Sequence, residues 1–189
     1  MINEKTRKLV LTAMLSAMAY LIMLVGRVPV VMFLKYDPKD AVIAIGGFLL
    51  GPASAAMMSL AVSFFEMLTA SDTGFIGFLM NVISTCAFVL PAAWLYRNKH
   101  TLKCAALGLC IGVLCMTALM LAWNYILTPL YMGYPRAAVA ELLLPVFLPF
   151  NLFKGALNAG VTMLLYKPVS RALRRAKLIP SADAAVLKR

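Results

Sequence analysis

The sequence predicts an all-α integral membrane protein: a bundle of six transmembrane helices with both termini in the cytoplasm. Three observations predict this fold class. Of the 189 residues, 63% are hydrophobic and 13% charged, whereas soluble domains carry about 45–50% apolar and 25% charged residues. Six mainly apolar runs follow one another, and a membrane-spanning helix needs about 20 such residues. Finally, basic residues cluster at both ends of the chain.

The apolar runs are expected to be helices of a single membrane domain, 1–189, because lipid forces each backbone polar group to bond within its own segment. They cover about 9–26, 41–50, 53–70, 75–96, 102–130 and 141–166, and a basic cytoplasmic tail follows at 167–189. The second run is short, and only Gly51-Pro52 separates it from the third. Residues 41–70 therefore form either one kinked span or a tight hairpin of two.

The distribution of charge decides between these alternatives. Cytoplasmic segments carry the excess of Lys and Arg. Three basic residues precede the first apolar run, and seven follow the last one. Both termini are therefore expected to be cytoplasmic, which requires an even number of spans and selects the hairpin. With six spans, 13 of the 18 basic residues lie on the cytoplasmic side. The other five are Lys154 within a span and four outer-loop residues: Arg27, Lys35, Lys39 and Arg136. The formal charge of +11 thus reflects the orientation of the chain in the membrane. We expect its basic residues to contact the lipid bilayer and not a nucleic acid.

The motifs that the chain lacks argue against an enzyme. It contains no G-x-x-x-x-G-K-[ST] loop for phosphates, no H-E-x-x-H metal site and no G-x-S-x-G nucleophile. Its one histidine, His100, falls in a basic loop. We therefore expect no catalytic residue, no metal and no bound cofactor, and binding or transport outweighs catalysis.

Polar residues inside the apolar runs indicate a ligand site. A Lys or Glu within a span is costly and usually faces the bundle interior or a ligand, and Glu66 and Lys154 are such residues. Asn151, Lys154 and Asn158 are spaced to share one helix face. Asn124 is expected near the outer end of the fifth helix. Amides and an ammonium suit a neutral ligand rich in hydroxyls and carbonyls, and neighbouring aromatic residues suit a flat ring.

Structural roles remain open for the same residues. Lys154 can pair with Glu66 or reach a lipid phosphate, and Glu66 can simply satisfy a neighbour. Asn81 and Asn158 fit interhelical hydrogen bonding as well as ligand contact. We nevertheless retain Glu66 and Asn81 among the candidate substrate-binding residues.

Two pairs of small residues have the spacing that lets helices approach closely. Ala13 and Ala17 lie four apart on the first helix, and Gly108 and Gly112 lie four apart on the fifth. On spacing alone, both pairs indicate packing within the bundle.

Three features together carry a resemblance to a known family. They are the alanine pair Ala13 and Ala17, the outer loop Phe33-Leu34-Lys35-Tyr36-Asp37-Pro38-Lys39-Asp40, and Asn151-Leu152-Phe153-Lys154 on the last helix. Because these features occur in this order and at these places in the predicted topology, the chain resembles the riboflavin-specific substrate-binding component of energy-coupling factor transporters. The resemblance extends from about Thr6 to Lys177.

The resemblance implies a high-affinity riboflavin-binding subunit in a bacterial cell membrane, which captures the vitamin outside and delivers it inward. Asn124, Asn151 and Lys154 match positions that contact the vitamin in that family. Leu34 and Tyr36 lie in the loop above the pocket, and Tyr36 fits an interfacial tyrosine equally well.

The same resemblance implies protein partners. Ala13 and Ala17 match a motif that meets a transmembrane coupling subunit, which in turn associates with two cytoplasmic ATPases. Two other functions remain open: a binding component for another vitamin, such as thiamin, biotin or pantothenate, and a membrane scaffold that binds no small molecule.

Overall fold

Long apolar helices make up most of the structure. The computed structural model describes residues 3–31, 34–71, 73–133, 135–176 and 178. In chain order its elements are α1 (Glu4–Gly26), β1 (Val28–Val31), β2 (Leu34–Tyr36), α2 (Lys39–Leu50), α3 (Pro52–Thr69), α4 (Gly74–Lys99), α5 (Leu102–Met132), α6 (Arg136–Leu142), a π-helical turn (Leu143–Phe147) and α7 (Leu148–Arg175).

Five helical segments in the described part of the chain are long and apolar enough to cross a membrane. The last of them joins α6, the π-helical turn and α7 into one segment, Arg136–Arg175. Together with the shorter α2 they give the six helices that the sequence predicts.

The boundary between α2 and α3 is sharp. Gly51 has φ = 95°, a left-handed conformation that glycine adopts without the steric cost of a Cβ. Pro52 then begins α3, where its missing N–H leaves no helical hydrogen bond unmade. Two helices are therefore formed from 39–69, in place of one kinked span.

The short helix α2 lies at the centre of the bundle. It is buried from Lys39 to Phe48 and packs against α1, α3, α4 and α7. Its first residues, Lys39 and Asp40, are both 0% exposed. Two charged side chains are thus held deep within the protein.

The loop predicted between the first two helices contains a β-hairpin. Strands β1 and β2 pair antiparallel, with Val28 opposite Tyr36, Pro29 opposite Lys35 and Val31 opposite Leu34. The β-branched valines of β1 favour an extended backbone. This hairpin connects the end of α1 to the buried start of α2.

The Gly108 and Gly112 pair serves packing within the bundle. A Cβ at Gly112 would lie 2.1 Å from the backbone oxygen of Phe88, and one at Gly108 would lie 2.8 Å from the Cα of Ala92. Helices α4 and α5 therefore approach so closely that only glycine fits at these two positions.

The last span carries an irregular turn before α7. Pro149 lacks an N–H, so it cannot bond the carbonyl of Pro145 four residues earlier. The helix widens here, and the Leu148 N–H bonds the Leu143 oxygen, five residues back. After this turn α7 continues to Arg175, so the first nine residues of the tail predicted at 167–189 are helical. Residues 177 and 179–189 lie outside the described part.

The start of α1 and the end of α7 lie at the same end of the bundle. Leu11 of α1 and Leu173 of α7 pack together, and Leu49 and Leu50 at the end of α2 join them. We call this the termini end and the opposite end, with the β-hairpin, the hairpin end. Near the termini end, Phe48 packs against Tyr96 at a ring-centroid distance of 4.7 Å.

Candidate ligand-binding site

An open cavity lies at the hairpin end of the bundle. Together with its open mouth it encloses about 840 Å³ of empty space. We call it the polar cavity. Six of the seven residues predicted from the sequence to bind substrate line it: Leu34, Glu66, Asn81, Asn124, Asn151 and Lys154. Its other lining residues are Arg27, Lys35, Asp37, Ala70, Ser71, Thr73, Ile76, Gly77, Met80, Ser84, Met120 and Phe150.

Two asparagines of the polar cavity are anchored to their own helices. The Asn124 Nδ2 donates to the Met120 oxygen at 2.7 Å, and the Asn151 Nδ2 donates to the Phe147 oxygen at 2.7 Å. Each amide nitrogen has a second N–H, so anchoring leaves a donor on each side chain. Asn124 and Asn151 are 2% and 4% exposed. Any hydrogen bond between these side chains and a ligand would therefore be shielded from water.

Glu66 is the centre of an ion-pair network beside the cavity. Its carboxylate forms ion pairs with Arg27 and Lys39, and it accepts a hydrogen bond from the Asn81 Nδ2 at 2.9 Å. Glu66 thus has ionic partners within the fold, and because it also lines the cavity, its contact with a substrate stays a prediction. Asn81 likewise joins α4 to α3 through this bond.

Arg27 links three parts of the fold. It follows the last residue of α1, its Nε lies 2.6 Å from the Asp37 Oδ1, and its Nη1 donates to the Ala70 oxygen at the end of α3 at 2.9 Å. Burial alone would lower the pKa of Arg27, but Asp37 and Glu66 raise it overall. The guanidinium therefore stays charged and links α1, the hairpin and α3.

Asp37 follows β2 and is 3% exposed. Burial alone would raise its pKa, but the charge of Lys39 and the hydrogen bond from Arg27 outweigh burial and lower the pKa below its usual value. The Lys39 Nζ lies 3.8 Å from the Asp37 Oδ2. Asp37 is consequently ionised at neutral pH.

Lys154 projects from α7 toward the first turn of α2. Its Nζ lies 3.5 Å from the Asp40 Oδ2, and the Thr85 hydroxyl of α4 donates to the Asp40 Oδ1 at 2.7 Å. The sequence suggested Glu66 as an ion-pair partner for Lys154, whereas the structure places it against Asp40. Three helices are thus joined beneath the cavity.

The buried charges beside the cavity pair within the protein. Three cations and three carboxylates form ion pairs: Arg27, Lys39 and Lys154 with Asp37, Asp40 and Glu66. A fourth cation, Lys35, also lines the cavity. Buried charges need such partners, and a charged ligand would compete for them, so the pairing favours a neutral ligand.

Tyr36 lies beside the polar cavity. Its hydroxyl donates to the Asn158 Oδ1 at 3.1 Å, and the Asn158 Nδ2 donates to the Asp37 oxygen at 3.3 Å. Asn158 therefore holds the hairpin against α7, which agrees with the structural role that the sequence suggested for it.

Sequence reasoning did not assign site roles to Arg27, Asp37, Lys39 and Asp40. It counted Arg27 and Lys39 as outer-loop charges, but both belong to the buried network. The small number of acidic residues could have pointed to Asp37 and Asp40, because the chain has only seven Asp and Glu residues in all. Two of them lie within the four residues Asp37-Pro38-Lys39-Asp40, next to a predicted span.

A second hollow runs between α1 and α3. Its volume is about 910 Å³, including its open side, and we call it the apolar groove. Its lining residues are Leu9, Thr12, Ala13, Ser16, Ala17, Tyr20, Met57, Ala61, Val62 and Phe65. Both alanines of the first small-residue pair are exposed here. The sequence pattern alone assigned that pair to packing within the bundle, whereas its resemblance to a known motif placed it at a partner contact.

Comparison with known proteins gives a consistent result. A profile of the family described as "ECF transporter, substrate-specific component" matches residues 7–166. Among curated relatives, the chain is 27% identical over 181 residues to riboflavin transporter RibU of Staphylococcus aureus, covering 91% of this chain and 95% of the relative. It is 29% identical over 175 residues to riboflavin transporter FmnP of Bacillus subtilis, covering 86% and 91%.

A solved structure shares the fold. The work that describes it is called "Structure and mechanism of the S component of a bacterial ECF transporter", and this chain matches it with a TM-score of 0.75 at 26% identity. The match covers 90% of this chain and 99% of the other. The helices, the cavity and the sequence similarity thus agree on a multi-pass protein of the bacterial plasma membrane.

Proposed function

This chain belongs to the family of substrate-specific components of ECF transporters, and from that premise we propose that it binds riboflavin in the polar cavity. It captures the vitamin outside the cell and releases it inward when coupled to the other transporter subunits. The curated relatives named as riboflavin transporters support this assignment.

The internal pairing of the buried charges beside the cavity is the observation that carries the choice of vitamin. Riboflavin is neutral at pH 7, whereas thiamin is a cation and biotin and pantothenate are anions. The three cations and three carboxylates at the cavity already pair with one another. A charged vitamin would therefore meet no unpaired counter-charge among them, while a neutral flavin leaves every pair intact.

Each predicted site residue has a role in this proposal. Asn124, Asn151 and Lys154 hydrogen-bond the polar atoms of the vitamin, and Leu34 covers its ring together with Phe150, which also lines the cavity. Glu66 and Asn81 hold the ion-pair network in place, and Tyr36 supports the hairpin through Asn158.

The proposed orientation places both termini in the cytoplasm. The basic residues near the start of α1 and the end of α7 support it, because these segments lie together at the termini end and cytoplasmic segments carry the excess of Lys and Arg. The hairpin end then faces outward, and the polar cavity opens to the outside.

Ala13 and Ala17 are proposed to contact the transmembrane coupling subunit. The apolar groove supports this role, because exposed small residues let a second helix approach closely within a membrane. Two cytoplasmic ATPases would supply the energy for transport, since the sequence has no phosphate-binding loop of its own.

Riboflavin binding is tested by fluorescence quenching on titration of purified protein. We expect saturable quenching that excess thiamin, biotin or pantothenate does not reverse. Lys154→Ala should weaken binding at least tenfold, while Lys167→Ala, the same change at an exposed position of α7, should not. Displacement by another vitamin would reassign the substrate, and absence of saturable binding in the intact protein would favour the scaffold alternative.

A further inference from the structure

Ser84 of α4 is a polar lining residue that the fold itself does not use. It lines the polar cavity and is 3% exposed, and its hydroxyl has no hydrogen-bond partner among the residues that the structure describes. Other polar lining residues are already bonded within the protein: Arg27, Asp37, Glu66, Asn81, Asn124 and Asn151. The Ser84 hydroxyl therefore has its full bonding capacity available for a ligand.

The surroundings of this hydroxyl differ from those of a second unpartnered serine, Ser63 of α3. Ser63 is 1% exposed, and its oxygen is enclosed by protein without a hydrogen-bond partner. It is not among the described lining residues of the cavity. The Ser84 oxygen is not among the enclosed atoms, so it faces the open space of the cavity. Of these two hydroxyls, that of Ser84 can reach a ligand and that of Ser63 cannot.

Ser84 lies at the inner end of the cavity. On α4 the lining residues run from Ile76 to Ser84, about 12 Å along the helix axis. The next residue, Thr85, is directed toward α2, where its hydroxyl donates to the Asp40 Oδ1 at 2.7 Å beneath the cavity. A ligand that fills the cavity therefore brings its inner end to Ser84.

A hydroxyl in this place makes the cavity selective for ligands with a polar inner end. In the ligand-free protein, water that enters the open cavity can bond it. A ligand that displaces such a water without replacing its hydrogen bond loses affinity, whereas a polar ligand group restores the bond. Because a hydroxyl both donates and accepts, Ser84 suits a carbonyl, a hydroxyl or an N–H of the ligand equally.

We propose that Ser84 is a further binding residue, which hydrogen-bonds a polar group at the inner end of riboflavin and disfavours ligands that are apolar there. In riboflavin such groups lie on the pyrimidine edge of the ring and on the ribityl chain, since the dimethylbenzene edge is apolar. This inference rests on the proposed function. It goes beyond it by adding a contact from α4 that is independent of the ion-pair network.

The test compares Ser84→Ala with Ser63→Ala in the intact protein, purified in detergent. Riboflavin affinity is measured by fluorescence quenching. Ser84→Ala should weaken binding about three- to tenfold, which corresponds to the net loss of one hydrogen bond. Ser63→Ala removes an equally buried, unpartnered hydroxyl outside the cavity, so its affinity should stay within about twofold of wild type.

Thermal unfolding separates a ligand contact from a structural role. Neither substitution removes a described hydrogen bond, and alanine favours a helix more than serine does. Without ligand, both variants should therefore unfold at or above the wild-type temperature. A ligand stabilises the folded state more as its affinity rises. At one riboflavin concentration, Ser84→Ala should thus gain less stability than the wild type, and Ser63→Ala should gain as much.

Two results would overturn the proposal. One is equal riboflavin affinity of Ser84→Ala and the wild type. The other is a weakened Ser84→Ala that also unfolds at a lower temperature than the wild type without ligand, which would indicate a structural role. A wild type that binds no riboflavin at all would instead remove the proposed function and this inference with it.

Discussion

The polar cavity and the apolar groove are opposite in construction. The cavity is lined by charged, amide and apolar side chains, and its buried charges pair within the protein, whereas the groove is lined mainly by small and apolar residues of α1 and α3. The polar cavity therefore has the groups that can recognise a ligand chemically, whereas the apolar groove can bind a partner mainly through its shape. In the proposed function, the first binds the vitamin and the second binds a helix.

The two hollows also differ in how firmly their walls are joined. Around the cavity, ion pairs tie the end of α1 to the hairpin, α2 to α3, and α2 to α7. Across the groove, the Tyr20 hydroxyl donates to the Thr69 hydroxyl at 2.8 Å. Substitutions at the cavity should therefore alter stability or ligand affinity, while those at the exposed alanines of the groove, Ala13 and Ala17, should leave both unchanged.

The largest effect is expected from Glu66→Leu. Removing this carboxylate leaves Lys39, which is 0% exposed, without one of its two ion-pair partners and should lower the free energy of unfolding by about 3–5 kcal/mol. Chemical denaturation in detergent measures the loss. Glu141→Leu, at an exposed site, is the matched control and should change stability by less than about 0.5 kcal/mol. Equal stability of the two variants would show that the network does not hold the cavity together.

Asn151→Leu should act on ligand affinity with little effect on the fold. Its one described side-chain bond is to the Phe147 oxygen of its own helix, and leucine has a similar size. Loss of a desolvated hydrogen bond should weaken riboflavin binding by about 10- to 100-fold, measured by fluorescence quenching. Asn98→Leu places the same change at an exposed end of α4 and should bind normally. Unchanged affinity of Asn151→Leu would remove this residue from the binding site.

Ala17→Leu addresses the groove and should separate binding from transport. We expect riboflavin affinity within about twofold of wild type, because the change lies outside the cavity. Uptake by cells should fall at least tenfold, because the added bulk blocks close approach of a partner helix. Ala118→Leu, at an exposed alanine of α5 outside the groove, is the control and should transport normally. Normal uptake by Ala17→Leu would contradict the partner contact.

The smallest effect is expected from pH. The pKa of Asp37 is lowered in the folded protein, so its stabilising contribution is fully present above the unfolded value near 3.9 and is lost as pH falls through the folded value. Riboflavin affinity should therefore change less than about twofold between pH 8 and 5, as measured by equilibrium dialysis. In Asp37→Asn the loss of stability below about pH 4 should be smaller than in the wild type. A steep loss of wild-type affinity between pH 7 and 5 would contradict an ionised Asp37.

Much of this arrangement was predictable from the sequence, because its signals are local. Apolar runs locate the helices, and the spacing of Asn151 and Lys154 places them on one face. The spacing of small residues was less informative. The pair Gly108 and Gly112 contacts the backbone of α4, while Ala13 and Ala17 line an open groove. Four-residue spacing shows that close approach is possible, but which helix approaches depends on tertiary packing.

The ion-pair network was not predictable in the same way, because it depends on contacts between distant segments. Arg27 and Glu66 are 39 residues apart in sequence, and Lys39 was counted among the outer charges by the positive-inside rule. That rule describes average loops. Here the hairpin turns inward at Asp37, and the start of α2 takes its charges into the bundle.

The shortness of α2 has a consequence for the distance that the vitamin must travel. Twelve helical residues span about 18 Å, against about 30 Å for the hydrocarbon core of a bilayer. The last residues of α2 pack at the termini end, so its first turn, at the floor of the cavity, lies well below the opposite membrane surface. In the proposed orientation, riboflavin that reaches the cavity floor has already crossed about two fifths of the hydrocarbon thickness. The energised step then carries it over the remaining three fifths.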